Sequence, residues 1–493
     1  MSPALWAECA WLGAGRASAE AGAAGAGGGA EAGFANGVLI EHRATGEITS
    51  VRSNEAPPTD PAVRRLGGWV LPGFVNAHSH AFHRALRGLS ETRSGDFWTW
   101  RDLMYSVAAR LEPESYAALA EAVYAEMLLA GYTSVGEFHY LHHQAGGEPY
   151  PDDPNAMGTA LLGAATRAGI RMTLIDACYL QAGADGTPLA GVQQRFGDAS
   201  GESWAARVSA LWESGRVVND ESDDSPSPGL PRLGVAVHSV RAVPPEAIRT
   251  VAAFAAFGGL PLHVHLSEQR AENEACLKAF SKTPADLLES CEALSSRTTA
   301  VHATHLTPAD IASLGLAGCG VCCCPTTERD LGDGVGPFLE LAEAGAYLSI
   351  GSDSQAVIDP IEECRGIELN QRLSTERRGL HRVRELLEAG TSGGARALGW
   401  PSGGLAVGAM ADLVAIRPDS VRVAGAWSGT SGSGVSESVL AAIVFGAGAG
   451  DVETVVVGGQ VVVSGGAHVR LGTPADVGAL LNKSVSGLLG DEP

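Results

Sequence analysis

GGWVLPGFVNAH, residues 67–78, is the first of eight short apolar stretches that decide the fold of this chain. Longer helical patterns, such as Glu114 to Ala130 and Pro245 to Phe257, lie between the stretches. Short strands that alternate with helices are typical of parallel βαβ units, and eight units predict an α/β fold with a closed (β/α)8 TIM-type barrel. The other seven stretches are TSVGEFHY (133–140), RMTLIDACY (171–179), LGVAVHSV (233–240), LPLHVHL (260–266), TTAVHAT (298–304), GCGVCCCP (318–325) and AYLSIGSD (346–353).

The two chain ends predict a second, smaller unit. Glycine-punctuated strand patterns such as GVLIEH and VETVVVGG recur in residues 34–70 and 404–470. They indicate a small β-sandwich domain formed by both ends, so we predict residues 1–70 and 401–493 for this domain and 71–400 for the barrel. A length of 493 residues suits such a pair. The low-complexity segments 21–33, 219–232 and 424–436 predict surface loops.

Composition limits the partners that this chain can have. The formal net charge is −22, which repels phosphate backbones and anionic lipid, so we expect no nucleic-acid or membrane partner. The first fifteen residues have no basic segment before a long apolar core, and no apolar run is long enough to span a bilayer. The nine cysteines fall mostly in predicted core strands, as expected for reduced thiols in the cytoplasm.

Chemically capable side chains follow nearly every predicted strand. Because a barrel gathers the carboxyl ends of its strands around one mouth, these side chains should converge. His78 and His80 are two residues apart on a strand, so both point to one side. His265 and Asp353 can complete a site of three nitrogens and one oxygen for one divalent metal, which suits Zn²⁺ and also accepts Fe²⁺ or Mn²⁺. An isolated HxH would instead indicate a hydrogen-bonded strand pair.

Two further residues predict proton transfer. Glu268 follows His265 in an HxxE pattern, although a glutamate at this position can also simply open the next helix. His265 is preferred to His263 as the ligand because Glu268 then lies nearest the metal, and His263 lies deeper in the barrel. His302 ends the sixth strand and is assigned to catalysis, whereas His305 lies in the following loop.

The CxxC pattern at Cys319 and Cys322 permits a zinc or redox interpretation. Adjacent cysteines on a strand alternate between its two faces, so Cys322, Cys323 and Cys324 cannot all bind one metal. Core packing is therefore the better interpretation.

At this point the motifs resemble a known family over nearly the full length. PGFVNAHSH, the HxxE, the histidine of strand six, the SD of strand eight and GGLAVGAMADLVAI resemble the amidohydrolase superfamily. Within it, HSHAFHRALRG, FWTWRDLMY, EFHYLHH, HSVRAV, VHATHL and CPTTERDLGDG resemble the formimidoylglutamate deiminase family. That family converts N-formimidoyl-L-glutamate and water to N-formyl-L-glutamate and ammonia in histidine degradation.

The resemblance implies roles for individual residues. It makes four residues metal ligands (His78, His80, His265 and Asp353), two a proton-transfer pair (Glu268 and His302) and four substrate contacts (Arg101, Tyr140, His238 and Arg241). Asp353 also takes part in catalysis by accepting or orienting the proton of the attacking water. This sequence departs from the family pattern at His83, where the family usually has glutamine in contact with substrate, and at Arg329, where a small residue is usual.

Three functions remain open at this stage. A dianionic substrate entering a chain of charge −22 needs cationic anchors, which Arg101 and Arg241 supply. A ring deaminase of the same superfamily would share the metal, Glu268 and His302 but should have an apolar, aromatic pocket. A non-catalytic metal-binding scaffold should have lost a ligand or the HxxE glutamate, and this chain keeps them all. We also expect a homodimer.

Overall fold

The computed structural model describes residues 3–13, 34–89, 97–218, 230–401, 403–426 and 437–489. The predicted loops at 21–33, 219–232 and 424–436 lie outside these ranges except for residues 230–232 and 424–426. In the part of the chain that is described, no helix is both long enough and apolar enough to cross a membrane.

The amino-terminal residues form four strands of one sheet. Strand β1 pairs with β2 in antiparallel orientation and with β4 in parallel orientation, so β1 lies inside the sheet. The strands are β1 (Ala4–Trp11), β2 (Phe34–His42), β3 (Ile48–Arg52) and β4 (Val63–Pro72).

The next eight strands form the barrel that the sequence predicts. They are parallel and follow one another in chain order, and six of them are buried along their whole length, as parallel strands covered on both faces should be. The strands are β5 (Phe74–Ser79), β6 (Tyr132–His139), β7 (Arg171–Cys178), β8 (Arg232–Ser239), β9 (Leu262–Leu266), β10 (Thr298–His302), β11 (Gly320–Cys323) and β12 (Tyr347–Ile350).

One sequence prediction needs correction at the start of the barrel. The stretch 67–78 was interpreted as a single barrel strand, but it divides between the two sheets at Gly73. Pro72 has no N–H to continue a ladder, and the N–H of Gly73 donates to the carbonyl oxygen of Asp412 in the other sheet at 2.9 Å. Only the second half, β5, enters the barrel.

The barrel nearly closes between its first and last strands. The N–H of Asp353 donates to the carbonyl oxygen of His78 at 3.0 Å, and the N–H of His80 donates to that of Asp353 at 3.2 Å. Gly351 makes this approach feasible, because a Cβ atom there would lie 2.8 Å from the Cβ of His78. The closing seam therefore lies at predicted metal ligands.

Helices between the strands cover the barrel. Many of them begin with a proline in the first turn, where its missing N–H is not needed, and α8 also has a capping box between Thr307 and Asp310. The helices of the barrel region are α1 (Phe97–Ala108), α2 (Pro113–Ala130), α3 (Ala156–Ala168), α4 (Gly201–Glu213), α5 (Pro245–Gly258), α6 (Arg270–Phe280), α7 (Pro284–Ser290), α8 (Pro308–Leu316), α9 (Pro325–Leu331), α10 (Phe338–Ala344), α11 (Pro360–Thr375), α12 (Val383–Glu388) and α13 (Gly394–Ala397).

The carboxyl-terminal residues complete the first sheet. Strand β13 pairs with β4, so one continuous eight-stranded sheet contains both chain ends. Two helices of this part, which the sequence analysis did not identify, lie against barrel helices: α14 contacts α11, and α15 contacts α2. The elements are β13 (Leu413–Ile416), α14 (Glu437–Gly446), β14 (Val452–Val457), β15 (Gln460–Ser464), β16 (Ala467–His468) and α15 (Pro474–Leu489).

Candidate active site

The carboxyl ends of the barrel strands bring the predicted site residues to one cavity. All of these residues except His78 line it, and His78 contacts residues that do. The lining residues predicted from the sequence are His80, His83, Arg101, Tyr140, His238, Arg241, His265, Glu268, His302 and Asp353.

Four donor atoms converge at the barrel seam. Nε2 of His78 lies 3.1 Å from Nε2 of His80 and 3.1 Å from Nε2 of His265. Oδ1 of Asp353 lies 3.3 Å from Nε2 of His78 and 3.4 Å from Nε2 of His80. A tetrahedral zinc ion about 2.0–2.1 Å from each donor would separate the donors by about 3.3 Å. The spacing therefore fits one ion held by all four residues.

The tautomers of two histidines support the same conclusion. Nδ1 of His80 lies 2.9 Å from the carbonyl oxygen of Phe138, and Nδ1 of His265 lies 2.9 Å from that of His238. A carbonyl oxygen can only accept, so each Nδ1 carries the proton and each Nε2 presents a lone pair. Lone pairs that face one another in a buried space repel unless a cation lies between them.

The charge states also suit a metal. Burial lowers the pKa of His78, His80 and His265, so these imidazoles are neutral and able to coordinate. Burial alone would raise the pKa of Asp353, but its hydrogen bond to His78 and the positive charge of the nearby His302 hold it below its ordinary value. Three neutral imidazoles and one carboxylate form a divalent-metal site.

Glu268 and His302 lie beside the four donors. Nε2 of His302 is 3.8 Å from Oε1 of Glu268 and 3.6 Å from Oδ2 of Asp353. His302 has a φ of 67°, a strained conformation that persists in proteins mainly at functional sites. Burial would lower the pKa of His302, but Glu268 and the other carboxylates raise it well above its ordinary value. Burial raises the pKa of Glu268, so this pair is suited to hold and pass a proton.

Two arginines line the same cavity, beside its aromatic side chains. Arg241 follows β8, and its Nη1 is buried without a hydrogen-bond partner. Arg101 lies on α1, where its guanidinium is 5.4 Å from the centre of the Tyr105 ring. Both arginines also line an adjoining outer cavity together with Glu268 and Glu272. They can therefore meet an anionic group that enters from outside.

The remaining predicted contacts lie on the aromatic wall. The hydroxyl of Tyr140 is 2.9 Å from Nε2 of His83, and the His83 ring packs edge-on against Trp100 at 5.0 Å. Burial lowers the pKa of His83 to about 3, so the residue that replaces the family glutamine is neutral. The ring of His238 lies 4.5 Å from that of Tyr179. The hydrogen bond between His83 and Tyr140 thus fixes the orientation of both side chains.

Three residues discussed in the sequence analysis lie outside this cavity. His263 is buried, and its Nε2 lies 2.9 Å from the carbonyl oxygen of Ala397, as expected of a packed barrel histidine. His305 does not line the cavity. Arg329 donates to Asn370 at 2.9 Å and to Glu362 at 3.3 Å on α11, so this departure from the family pattern affects a helix contact.

Several cavity residues were not identified from the sequence. Tyr105, Tyr179, Phe196 and Glu272 all line the cavity. Tyr179 directly follows β7, so the same strand-end argument would have found it. Phe196 ends a short 3-10 helix at Gly191–Phe196 in a long connection, where the sequence has no comparable signal.

A second group with metal-ligating side chains does not resemble a metal site. His139, His142 and Asp176 are close together and buried. However, Asp176 already accepts two hydrogen bonds from Arg207, both at 2.8 Å, and one from Trp204. The guanidinium supplies the positive charge that a metal would bring. All nine cysteines are buried and free of disulfides, which confirms their interpretation as core residues.

Comparisons with known proteins agree with this geometry. A model described as the amidohydrolase family matches residues 69–462. The chain is 38% identical over 446 residues to a formimidoylglutamate deiminase of Pseudomonas aeruginosa, covering 88% of this chain and 93% of that protein. It is 31% identical over 400 residues to an 8-oxoguanine deaminase of the same organism, covering 79% and 84% respectively.

Solved structures agree with the fold. An amidohydrolase from Brucella melitensis is 32% identical, with a TM-score of 0.82 and coverage of 99% of this chain and 100% of that chain. A zinc-bound adenosine deaminase from Xanthomonas campestris has a TM-score of 0.76 at 21% identity, with 98% of each chain covered, and supports the fold alone.

Proposed function

The chain belongs to the amidohydrolase family, and we propose that it hydrolyses N-formimidoyl-L-glutamate to N-formyl-L-glutamate and ammonia. The observation that carries this proposal is the pair of arginines at the substrate cavity, above all the unpartnered buried Nη1 of Arg241. The 38% identity to a formimidoylglutamate deiminase over most of both chains supports it. This reaction would be a step of histidine degradation.

The substrate has two carboxylates and one formimidoyl group. A guanidinium can bind a carboxylate through two parallel N–H donors, so Arg241 and Arg101 together suit a glutamate moiety. His83, Tyr140 and His238 offer the neutral polar atoms of the same cavity. With its carboxylates at the arginines, the substrate can extend its formimidoyl carbon toward Glu268 and His302, which line the same cavity.

His78, His80, His265 and Asp353 would hold the divalent ion, which we propose to be Zn²⁺, with Fe²⁺ or Mn²⁺ as alternatives. When bound, such an ion supplies Lewis acidity and lowers the pKa of a coordinated water. The chain itself supplies the proton transfers. Asp353 is placed to accept the proton of the attacking water, His302 to orient that water, and Glu268 to deliver a proton to the nitrogen that leaves as ammonia.

A ring deaminase is the second candidate. The aromatic side chains of Trp100, Tyr105, Tyr140, Tyr179 and Phe196 line the same cavity and could stack on a flat base. The similarity to an 8-oxoguanine deaminase points in the same direction. Against it, a neutral base leaves the buried Nη1 of Arg241 without a partner, which costs binding free energy.

One assay separates the two candidates. Ammonia release should be measured with N-formimidoyl-L-glutamate, N-formimidoyl-L-aspartate, guanine and 8-oxoguanine under the same conditions. We expect the highest kcat/KM with the glutamate derivative and a clear drop with the aspartate derivative, whose carboxylates are one methylene closer. Faster turnover of either base would contradict the proposal and favour the ring deaminase.

We further propose that the protein is cytoplasmic, which the nine buried free cysteines support. We also propose that it forms a homodimer. Light scattering of the purified protein should give twice the chain mass of 50.6 kDa.

A further inference from the structure

We propose that Glu328 and Asp333 are positioning residues that hold His302 and Glu268 in their working geometry. Both belong to the segment 324–334 after the seventh barrel strand, which we call the clamp segment. The inference rests on the proposed function in one respect only, namely that Glu268 and His302 transfer protons. Neither Glu328 nor Asp333 lines the substrate cavity, so each must act through another residue.

Glu328 lies behind the His302 ring. Its side chain is buried, and its Oε1 accepts a hydrogen bond from the N–H of Cys324 at 2.9 Å. The same Oε1 is 3.6 Å from Nδ1 of His302. The other ring nitrogen, Nε2, faces Glu268 and Asp353. Nδ1 is buried and makes no hydrogen bond at shorter range. A movement of about 0.6 Å would turn this approach into a charge-assisted hydrogen bond.

The Glu328 carboxylate can stabilise the strained conformation of His302. The backbone of His302 is in the left-handed region with φ of 67°, and Ala303 after it has φ of 50°. Two strained residues in succession must be stabilised by their surroundings, or the side chain would rotate away. A carboxylate on the remote nitrogen fixes the ring rotation of a catalytic histidine, as in hydrolases that use an acid, a base and an orienting group.

Asp333 connects the same segment to Glu268. Its N–H donates to the carbonyl oxygen of Glu328 at 2.9 Å, and its Oδ1 accepts a hydrogen bond from the side-chain amide of Gln269. Gln269 directly follows Glu268 and precedes the first residue of α6. Asp333 is 4% exposed, and its Oδ2 is buried without a partner, so this carboxyl group is kept inside at an energetic cost.

The two contacts make one unit. Glu328 reaches His302 from behind, Asp333 reaches the residue beside Glu268, and a backbone hydrogen bond joins Glu328 to Asp333. His302 ends β10 and Glu268 follows β9, and the pairing of these neighbouring strands already aligns their backbones. The 3.8 Å between the two side chains depends in addition on what holds each side chain in its orientation. The clamp segment approaches His302 directly and acts on Glu268 through the neighbouring Gln269, which gives the CPTTERDLGDG motif a role beyond the metal and the substrate.

Glu328→Gln tests the first contact. The amide keeps the size of the side chain and can still accept from the N–H of Cys324, but it removes the charge beside His302. We expect kcat to fall at least tenfold, while KM stays within about threefold and metal content and melting temperature stay near those of the unmutated enzyme. Glu328→Asp should recover part of the lost kcat. Glu343→Gln, which neutralises an exposed carboxylate on α10, is the matched control and should leave kcat unchanged.

Asp333 and Gln269 test the second contact independently. Asp333→Asn retains an acceptor and should keep kcat within about threefold, whereas Asp333→Ala and Gln269→Ala should each lower kcat about fivefold or more. Because both alanine variants remove the same hydrogen bond, the one between Gln269 and Asp333, the double variant should lose no more kcat than either single variant. If Glu328→Gln fails to fold, this cycle alone decides the proposal.

The proposal is overturned if Glu328→Gln keeps kcat within twofold, or if its losses in kcat, KM and metal content run in parallel, since that would indicate a merely structural role. Additive losses in the Asp333 and Gln269 cycle would also overturn it. All ratios are measured on the best substrate of the unmutated enzyme. Weak activity on N-formimidoyl-L-glutamate with strong activity on a base would therefore defeat the proposed function without affecting this test.

Discussion

Replacing Arg241 with methionine is the sharpest test of substrate choice. Methionine keeps a flexible side chain of moderate length but removes the guanidinium that follows β8. In the structure, Nη1 of this guanidinium is buried and has no hydrogen-bond partner among the described residues. We expect it to find that partner in a substrate carboxylate, so the variant should bind the dianion much more weakly.

The size of the effect follows from the surroundings of Arg241. Loss of one partner of a buried, hydrogen-bonded charge pair costs about 2–5 kcal/mol, or roughly thirtyfold to several thousandfold in kcat/KM. Glu272 moderates this cost. Burial raises the pKa of Glu272 to about 7 and Arg241 lowers it, so without Arg241 the carboxyl group takes up a proton and repels substrate less. We therefore expect a loss in the lower half of the range at neutral pH.

The assay is ammonia release from N-formimidoyl-L-glutamate over a range of concentrations. Because we expect the arginine to hold the carboxylate equally tightly before and during the reaction, most of the loss should appear in KM. Arg101→Met should show the same pattern, because Arg101 lines the same cavity. Arg270→Met removes an exposed cation at the start of α6, so it controls for the general change in charge and should alter kcat/KM less than threefold.

Two results would refute this reasoning. If Arg241→Met and Arg101→Met both retain full kcat/KM for the dianion, the arginines do not bind substrate and the glutamate assignment is wrong. If Arg270→Met loses as much as Arg241→Met, the effect reflects long-range charge rather than a contact.

Three further predictions concern the metal, the proton carrier and pH. Purified protein should carry about one divalent ion per chain, because the described residues offer one four-donor cluster at the cavity; metal analysis that finds two tightly bound ions would contradict this. Glu268→Gln should lower kcat on the order of a hundredfold or more with metal content intact, since the amide cannot carry a proton; near-normal turnover would return Glu268 to a simple turn position. KM for the dianion should rise as pH increases through about 7, because Glu272, whose pKa burial raises to about 7, becomes anionic beside Arg241; the KM of Glu272→Gln should not depend on pH in this range, and an equal rise in that variant would exclude Glu272 as the cause.

The barrel could be predicted because its strands repeat one local pattern. Seven of the eight apolar stretches lie within a few residues of the barrel strand that forms, β9 and β10 among them. The division of residues 67–78 between two sheets could not be predicted in the same way, since the pattern is apolar on both sides of Gly73. What separates the halves is a hydrogen bond to Asp412, more than three hundred residues away in sequence. Helix α14 follows a glycine- and serine-rich stretch and α15 follows strand-like segments, so neither helix stands out in the sequence pattern.

The residues of the candidate site also differ in how far the sequence predicts them. Residues at strand ends, such as His265 and Asp353, could be predicted from topology alone, because the barrel brings strand ends together. Glu328 and Asp333 could not, since their role depends on where a turn of α9 places them relative to His302 and Gln269. Arg101 was chosen through the family resemblance, and only the structure places it on a helix at the cavity.

The position of the metal ligands at the barrel seam has a consequence for stability. His78 and His80 belong to the first strand and its end, and Asp353 follows the last, so one ion bound by them would join the two edges of the sheet. The same residues already make the two backbone hydrogen bonds that bring these edges together. Each contribution supports the other, because the backbone bonds hold the ligands in register and the ion offsets the repulsion between their lone pairs. Metal binding and barrel closure should therefore be coupled at the proposed active site.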